Sequence, residues 1–309
     1  MKTFLSLALT LTFAALPLFA QSPSPSPTPT NAAPTASVAA APGKPGLLHL
    51  PATTDPGARK AGELLEQMVA ALGGPAYLTM QNMEQEGRTY SFDTQGRSES
   101  EGALYTRFWG WPDRERFELN LKREWATDFI GIPIPISQGG QLVVLYVGDQ
   151  GYELTYQGAT ALEKENIEDY LRRRAHSLPW VLRKWLDQPG IAVFYEGHVL
   201  AERKQAEQVS LITAQNDAVT VAIDGITHLP IRVSFTWRDP KYLDKNEEAE
   251  SYENYRPEQG IMTPLSITRY HNGLPRNQRF VLSTKYNQPL SDTLFSPKAT
   301  PPPPKGKKK

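Results

Sequence analysis

Between Val209 and Tyr286 apolar and polar side chains alternate, and this period of two constrains the chain more than any other feature. Val209, Leu211 and Thr213 run up to a polar turn at Gln215-Asn216-Asp217, and Val219, Val221 and Ile223 follow it. Ile231, Val233, Phe235 and Trp237 form one face, opposed by Arg232, Ser234, Thr236 and Arg238. Leu265 and Ile267 precede an Asn272-Gly273 turn, and Phe280, Leu282, Thr284 and Tyr286 come after it. Successive strands joined by short turns make an antiparallel meander with one apolar and one wetted face.

The first half carries the same signal behind a helix. Asp55-Pro56 supplies an N-cap and a first-turn proline. Ala61, Leu64, Leu65, Met68 and Leu72 then recur at helical spacing, and Gly73-Gly74-Pro75 ends the helix. After it Arg88, Tyr90 and Phe92 share a face, as do Phe117, Leu119 and Leu121. Leu142 to Val147 is a short apolar run, joined to Tyr152-Glu153-Leu154-Thr155-Tyr156 across Gly148-Asp149-Gln150-Gly151, a hairpin signal. One insertion interrupts the strands. Thr160-Ala161-Leu162-Glu163 is a capping box that predicts a helix starting near 161, with Ile167, Tyr170 and Leu171 on its apolar side. Pro179 breaks it, and Val181, Leu182, Trp185 and Leu186 continue as a second helix to about Gln188, with Ser177 as its cap.

Both ends differ from this body. Residues 1–20 read as a secretory signal: Lys2, an apolar stretch from Phe4 to Ala15, and a cleavage site after Leu18-Phe19-Ala20. That stretch is short for a membrane span, and an uncleaved anchor is the competing reading. Residues 21–56 are Ser-Pro, Thr-Pro and Ala-rich sequence, expected to be an extended linker reaching at most ~110 Å at ~3.1 Å per residue. It suits a tether that holds the domain off a membrane, or a passive leader. Residues 298–309 end in Pro301 to Pro304 and Lys305 to Lys309, a disordered tail whose lysines suit anionic lipid or cell-wall polymer, or carry incidental charge. The folded domain is therefore expected over residues 57–297.

Charge and composition exclude several functions. Seven of the 33 basic residues lie outside 57–297 but only one of the 33 acidic ones, so the body holds 26 against 32, about −6. Such a body is ill suited to nucleic acid, where affinity comes from neutralising phosphates. With no cysteine there is no disulfide, thiolate metal site, Cys nucleophile or lipobox. No Gly-x-Ser-x-Gly elbow, Walker loop or Gly-x-Gly-x-x-Gly is present. His49, His176, His198, His228 and His271 are scattered, none at metal-ligand spacing from another ligand, and read as structural or solvated. The acidic pairs Glu99/Glu101, Glu115/Glu118 and Glu247/Glu248 could serve as acid and base only across a cleft. Glu247, Glu248 and Glu250, beside Asp244 and Lys245, read as a solvated loop. Neither a cofactor nor a metal is expected, and the chain is read as a non-enzyme. A hydrolase would need His198 or His228 to meet two carboxylates.

Six Trp, 13 Tyr and 11 Phe stand beside the face of Ile231, Val233, Phe235 and Trp237. A curved sheet covered by amphipathic helices either fills its interior or keeps a cavity for an apolar ligand, and periodicity alone leaves both open.

The order of segments resembles the periplasmic lipoprotein-carrier superfamily (LolA/LolB-like), in particular its outer-membrane lipoprotein-sorting relatives. The resemblance runs from Met68-Val69-Ala70-Ala71-Leu72-Gly73-Gly74 through Pro112-Asp113-Arg114-Glu115-Arg116-Phe117-Glu118 and Val147-Gly148-Asp149-Gln150-Gly151-Tyr152-Glu153. It continues in Ile223-Asp224, Leu229-Pro230-Ile231-Arg232, Tyr252-Glu253-Asn254-Tyr255, Gly260-Ile261-Met262-Thr263-Pro264, Tyr286-Asn287 and Leu294-Phe295. It implies an α+β, mostly antiparallel fold: a strongly bent, unclosed β-barrel with the N-terminal helix and the inserted helix pair as a lid. It also implies an exported periplasmic carrier, expected as a monomer, that holds lipid or lipoprotein acyl chains. Relatives that bind another envelope protein keep a regulator open as the alternative. On this basis Val219, Val221, Ile223, Ile231, Val233, Phe235 and Trp237 are expected to line the apolar cavity, with Leu171, Trp180, Val181 and Trp185 closing it. The superfamily's carrier gates its cavity with a strand arginine. Arg88 is the candidate here, with an ordinary surface arginine as the competing reading.

Overall fold

The alternating segments become strands of one sheet. A computed structural model describes residues 46–98, 101–121, 126–127, 133–134 and 140–301. The segment expected to be a signal, most of the proline-rich stretch, Glu99 and the lysines from 305 onward lie outside the described residues.

Asp55 caps the first helix by accepting from the Ala58 amide at 2.6 Å, and α1 runs Pro56–Leu72. Gly73 takes φ 123°, outside the range an L-residue adopts readily. Its amide and that of Gly74 close the last turn on Ala70 and Val69. A short α2, Pro75–Thr79, follows. The Glu66 carboxylate accepts from the amides of Leu47 and Leu48, both at 2.8 Å, so the end of the proline-rich stretch is docked on α1.

Three strands follow: β1 (Asn82–Ser91), β2 (Ala103–Gly110) and β3 (Arg114–Leu121). Three more precede the insertion: β4 (Gly140–Val147), β5 (Gln150–Thr155) and β6 (Gly158–Ala161). The helical insertion comprises α3 (Lys164–Ala175), the single turn α4 (Leu178–Trp180) and a π-turn at Val181–Trp185. The chain returns as β7 (Ala192–Ala201), β8 (Lys204–Ile212), β9 (Ala218–Asp224), β10 (Pro230–Arg238), β11 (Lys245–Glu258), β12 (Ile261–His271) and β13 (Leu274–Tyr286).

Among the described residues these thirteen strands make one antiparallel sheet, ordered β6-β5-β4-β3-β2-β1-β13-β12-β11-β10-β9-β8-β7. Each half is a meander, and β1 with β13 forms the seam, Met83 opposite Tyr286. The ends, β6 and β7, do not pair, so the sheet is an unclosed half-barrel with few helices, as the sequence led us to expect. β-Bulges help to bend it, because an extra residue kinks and twists a strand. One lies opposite Glu86 and Gly87, where a Cβ on Gly87 would run into the Phe280 carbonyl oxygen and the Tyr105 ring.

The core has two storeys on the inner face. The α1 stripe of Ala61, Leu64, Leu65, Met68 and Leu72 packs with Val193, Val209, Leu211, Val219, Val221 and Ile223. Each large aliphatic side chain buried there contributes about 1.5–3 kcal/mol. Under β2–β4, Tyr105, Phe117, Leu119, Leu142, Val144 and Tyr146 pack with Tyr170 of α3. The continuous run Leu142–Val147 is apolar on both sides because Val143 and Leu145 are also covered, on the outer face, by Phe295.

Two expectations fail locally. The capping box at Thr160 is not used: residues 158–161 pair with β5, and Glu163 takes the N-cap position. Strand pairing satisfies those backbone groups before a helix can. In β13 the supposed face of Phe280, Leu282, Thr284 and Tyr286 is split. The bulge at Leu282 turns Phe280 and Leu282 outward, while Val281, Thr284 and Tyr286 are buried.

Candidate functional site

Side chains from the inner faces of β1–β4 and β10–β13 meet the lid around a cavity of about 290 Å³. Part of its wall is apolar: Leu72, Met80, Met83, Trp109 and Met262, with Leu178 from α4. Four tyrosines, Tyr77, Tyr252, Tyr255 and Tyr286, extend this wall. Burial raises the pKa of each above the ordinary phenol value, so they remain neutral.

The remaining wall is charged. Arg107 Nε donates to Glu115 at 2.7 Å, and the Tyr170 hydroxyl donates to the same carboxylate at 3.1 Å. Burial alone would raise the Glu115 pKa, but Arg107, Arg279 and Tyr170 outweigh it and hold the group ionised below the usual carboxylate value. Arg279 and the Tyr252 hydroxyl both donate to Glu250, at 3.2 and 3.0 Å. Glu248 meets His271 Nδ1 at 2.8 Å. Burial opposes its charge too, yet His271, Arg173 and Arg269 keep its pKa below the ordinary value.

The lid is tied down by rings. Tyr170 stacks on Tyr146, and His176 stacks on Phe235 with centroids 4.0 Å apart. His176 Nδ1 donates to the Arg172 carbonyl at 2.7 Å, and Nε2 meets Asp217 at 2.8 Å. Buried on the lid and facing the β8–β9 turn, this histidine joins two distant parts of the chain.

Of the residues expected in the cavity wall, Val233 and Phe235 line it. Val219, Val221 and Ile223 are fully buried beneath α1 and do not reach it, because α1 occupies that part of the inner face. Ile231 is the extra residue where β9 shifts register on β10. Pro230 takes the inward position, and Ile231 packs with Ala201, Ala206 and Ala222. Trp237 lies at the edge of the core with the Arg172 guanidinium 3.5 Å from its ring centroid.

The insertion is the lid, but its inward residues are neighbours of those expected. Val181 and Trp185 are buried in the core with α1, Trp180 lies 5.7 Å from Trp111, and Leu171 packs beside Tyr146 and Tyr170. Tyr170, Arg173, His176 and Leu178 face the cavity instead. Arg88 is exposed and donates to the Gly102 carbonyl, because the inward positions of β1 are Met83, Gln85, Gly87 and Thr89. The cavity's arginines are on β2, α3, β12 and β13.

Period two also separates the acidic pairs. Glu115 points inward while Glu118 meets Arg116 and Gln141, and Glu248 lines the cavity while Glu247 meets Arg232. The supposed loop at Glu247–Glu250 is strand β11. Its signal was the alternation of Glu248, Glu250 and Tyr252, which carries charged residues at core-facing positions. His198 meets Glu207 and is largely exposed, and His228 lies in the β9–β10 turn. Among the described residues no three potential ligands gather for a metal, and no helix is long and apolar enough to cross a membrane.

No protein-family model and no curated protein matches the chain. Among solved structures, an outer membrane lipoprotein-sorting protein domain from Vibrio parahaemolyticus is similar over 77% of this chain and 97% of its own, at 10% identity and a TM-score of 0.45. A LolA superfamily protein from Nitrosomonas europaea is similar over 76% and 97%, at 11% identity and a TM-score of 0.45. A DUF1329 family protein from Desulfovibrio piger is similar over 79% and 98%, at 14% identity and a TM-score of 0.46. The superfamily named from the sequence is among them.

Proposed function

We propose that this chain is an exported, non-enzymatic carrier that holds lipid or the acyl chains of a lipoprotein and works in the periplasm. The observation that carries the reading is the cavity itself: an apolar wall closed by helices that are pinned by ring stacking. An acyl chain gains up to ~0.8 kcal/mol per buried CH₂ before ordering costs, so it can be held without a catalytic group. The signal-like residues 1–20 support export, and the composition of the proline-rich stretch suits a tether.

Native mass spectrometry of protein purified from the envelope, followed by organic extraction, tests this. A lipid or acylated peptide near one-to-one is expected, and Met262→Trp, which fills the cavity, should remove it. Failure of the wild-type protein to bind any fatty-acid probe would sink the reading.

A protein-binding regulator is the second reading, favoured by β7, which among the described residues is an edge strand with one side unpaired and where Phe194 is 45% and Leu200 76% exposed. Capture of one envelope protein that persists after delipidation and is lost in Leu200→Lys would favour it.

A further inference from the structure

The charges around the cavity do not balance. Its lining carries five arginines against three glutamates, inside a body that is acidic overall. Each glutamate already has a hydrogen-bonded partner. Glu115 has Arg107 and Tyr170, Glu250 has Arg279 and Tyr252, and Glu248 has His271. Arg174 turns to the Gly148 carbonyl at 2.7 Å and to Asp149.

Arg173 is different. It sits on the face of α3 that presents Tyr170 one turn earlier and His176 one turn later, and all three line the cavity. Among the described residues no hydrogen bond or ion pair reaches its guanidinium. Its charge acts on Glu248 and Tyr146 only through space. A half-buried guanidinium offers a planar fork of donors that fits a carboxylate or phosphate by two parallel hydrogen bonds. At about 290 Å³ the cavity is at the small end of ligand pockets, which run from roughly 300 to 1,000 Å³. That is room for one chain and not for a bundle.

We propose that the ligand is a single-chain amphiphile with one anionic head, a carboxylate or a phosphate. Its chain lies along Met80, Met83, Trp109 and Met262, and its head is held by Arg173. This deepens the carrier reading and rests on it. Because Arg173 belongs to the lid, the head also latches α3 over the chain, and its release requires that ion pair to open.

The test is calorimetric titration of the full chain, delipidated, with oleate, oleyl phosphate, methyl oleate and inorganic phosphate. Oleate or oleyl phosphate should bind about tenfold or more tighter than methyl oleate, and comparing the two anions tells which head is preferred. Arg173→Gln should lower the affinity for the preferred anion at least about fivefold and leave methyl oleate within about twofold, and Arg173→Lys should restore part of the loss. Equal binding of oleate, oleyl phosphate and methyl oleate by the wild-type protein would overturn the anionic head while leaving the carrier intact. That comparison needs no variant to fold. If inorganic phosphate binds and no lipid does, the site is a small-anion site and both proposals fall. If nothing binds, the carrier reading itself fails.

Discussion

Tyr170 of the lid lies flat on Tyr146 of β4, with ring centroids 3.5 Å apart and planes 5° from parallel. Its hydroxyl also donates to Glu115, so one side chain ties the insertion to both the apolar and the charged wall. Tyr170→Leu keeps the bulk but removes the stacking, worth about 0.5–1.5 kcal/mol, and a bond to a charged group, worth about 1.5–3 kcal/mol. Urea denaturation should show a loss of about 2–4 kcal/mol. Amide exchange should quicken over α3 more than over β8 and β9. Uniform exchange would mean that the ring does not hold the lid.

The Arg107–Glu115 pair is shielded from water and cannot lose one partner cheaply. Glu115→Leu leaves a guanidinium without its carboxylate and should cost about 3–5 kcal/mol in chemical denaturation. The double change Arg107→Met with Glu115→Leu removes both charges and should recover most of that loss. Additive losses would show that the two groups act independently.

Acid should weaken the fold through two carboxylates. The hydrogen bond from His176 leads in lowering the Asp217 pKa below its ordinary 3.8, and Glu248 is held below 4.5 despite its burial by His271, Arg173 and Arg269. A folded-state pKa below the unfolded one adds stability that is present above the unfolded value and lost as pH falls through the folded value. Melting temperature should therefore drop steeply below about pH 4, and Asp217→Asn should flatten that slope while lowering stability at neutral pH. An unchanged acid limb would remove Asp217 as a contributor.

Gly87 sits where β1, β2 and β13 approach at the bulge, with the Phe280 carbonyl and the Tyr105 ring in the space a Cβ would need. Gly87→Ala must displace backbone as well as a ring, and an overpacking cost of about 1–3 kcal/mol is expected from thermal melts. Gly148, whose Cβ would meet nothing, is the control for space, although its φ of 58° still strains any side chain.

Local rules were enough for the parts of this protein whose causes are local. The Asp55 cap, the α1 stripe, the Gly148-Asp149 and Asn272-Gly273 turns and the alternation in β8 and β9 each depend on a few neighbouring residues. The capping box at Thr160 failed because its backbone found a partner in β5, which a local rule cannot see. The inward apolar face was legible, and Val233 and Phe235 lie on the cavity wall, but periodicity left open whether that face enclosed a cavity or a filled core. The cavity's charged half was not legible, since Glu248 and Glu250 read as a solvated loop and no local pattern shows that Arg107, His271 and Arg279 come across the sheet to neutralise Glu115, Glu248 and Glu250. Bulges decided the rest: a single extra residue at Ile231 or Leu282 reverses which side chains face inward, and alternation carries no mark of where that residue falls. The sequence by itself determined the period, and hence the antiparallel sheet and its helical cover. Tertiary structure decided which face of each strand looks into the cavity and where α1 fills it, because both follow from register between strands far apart in the chain.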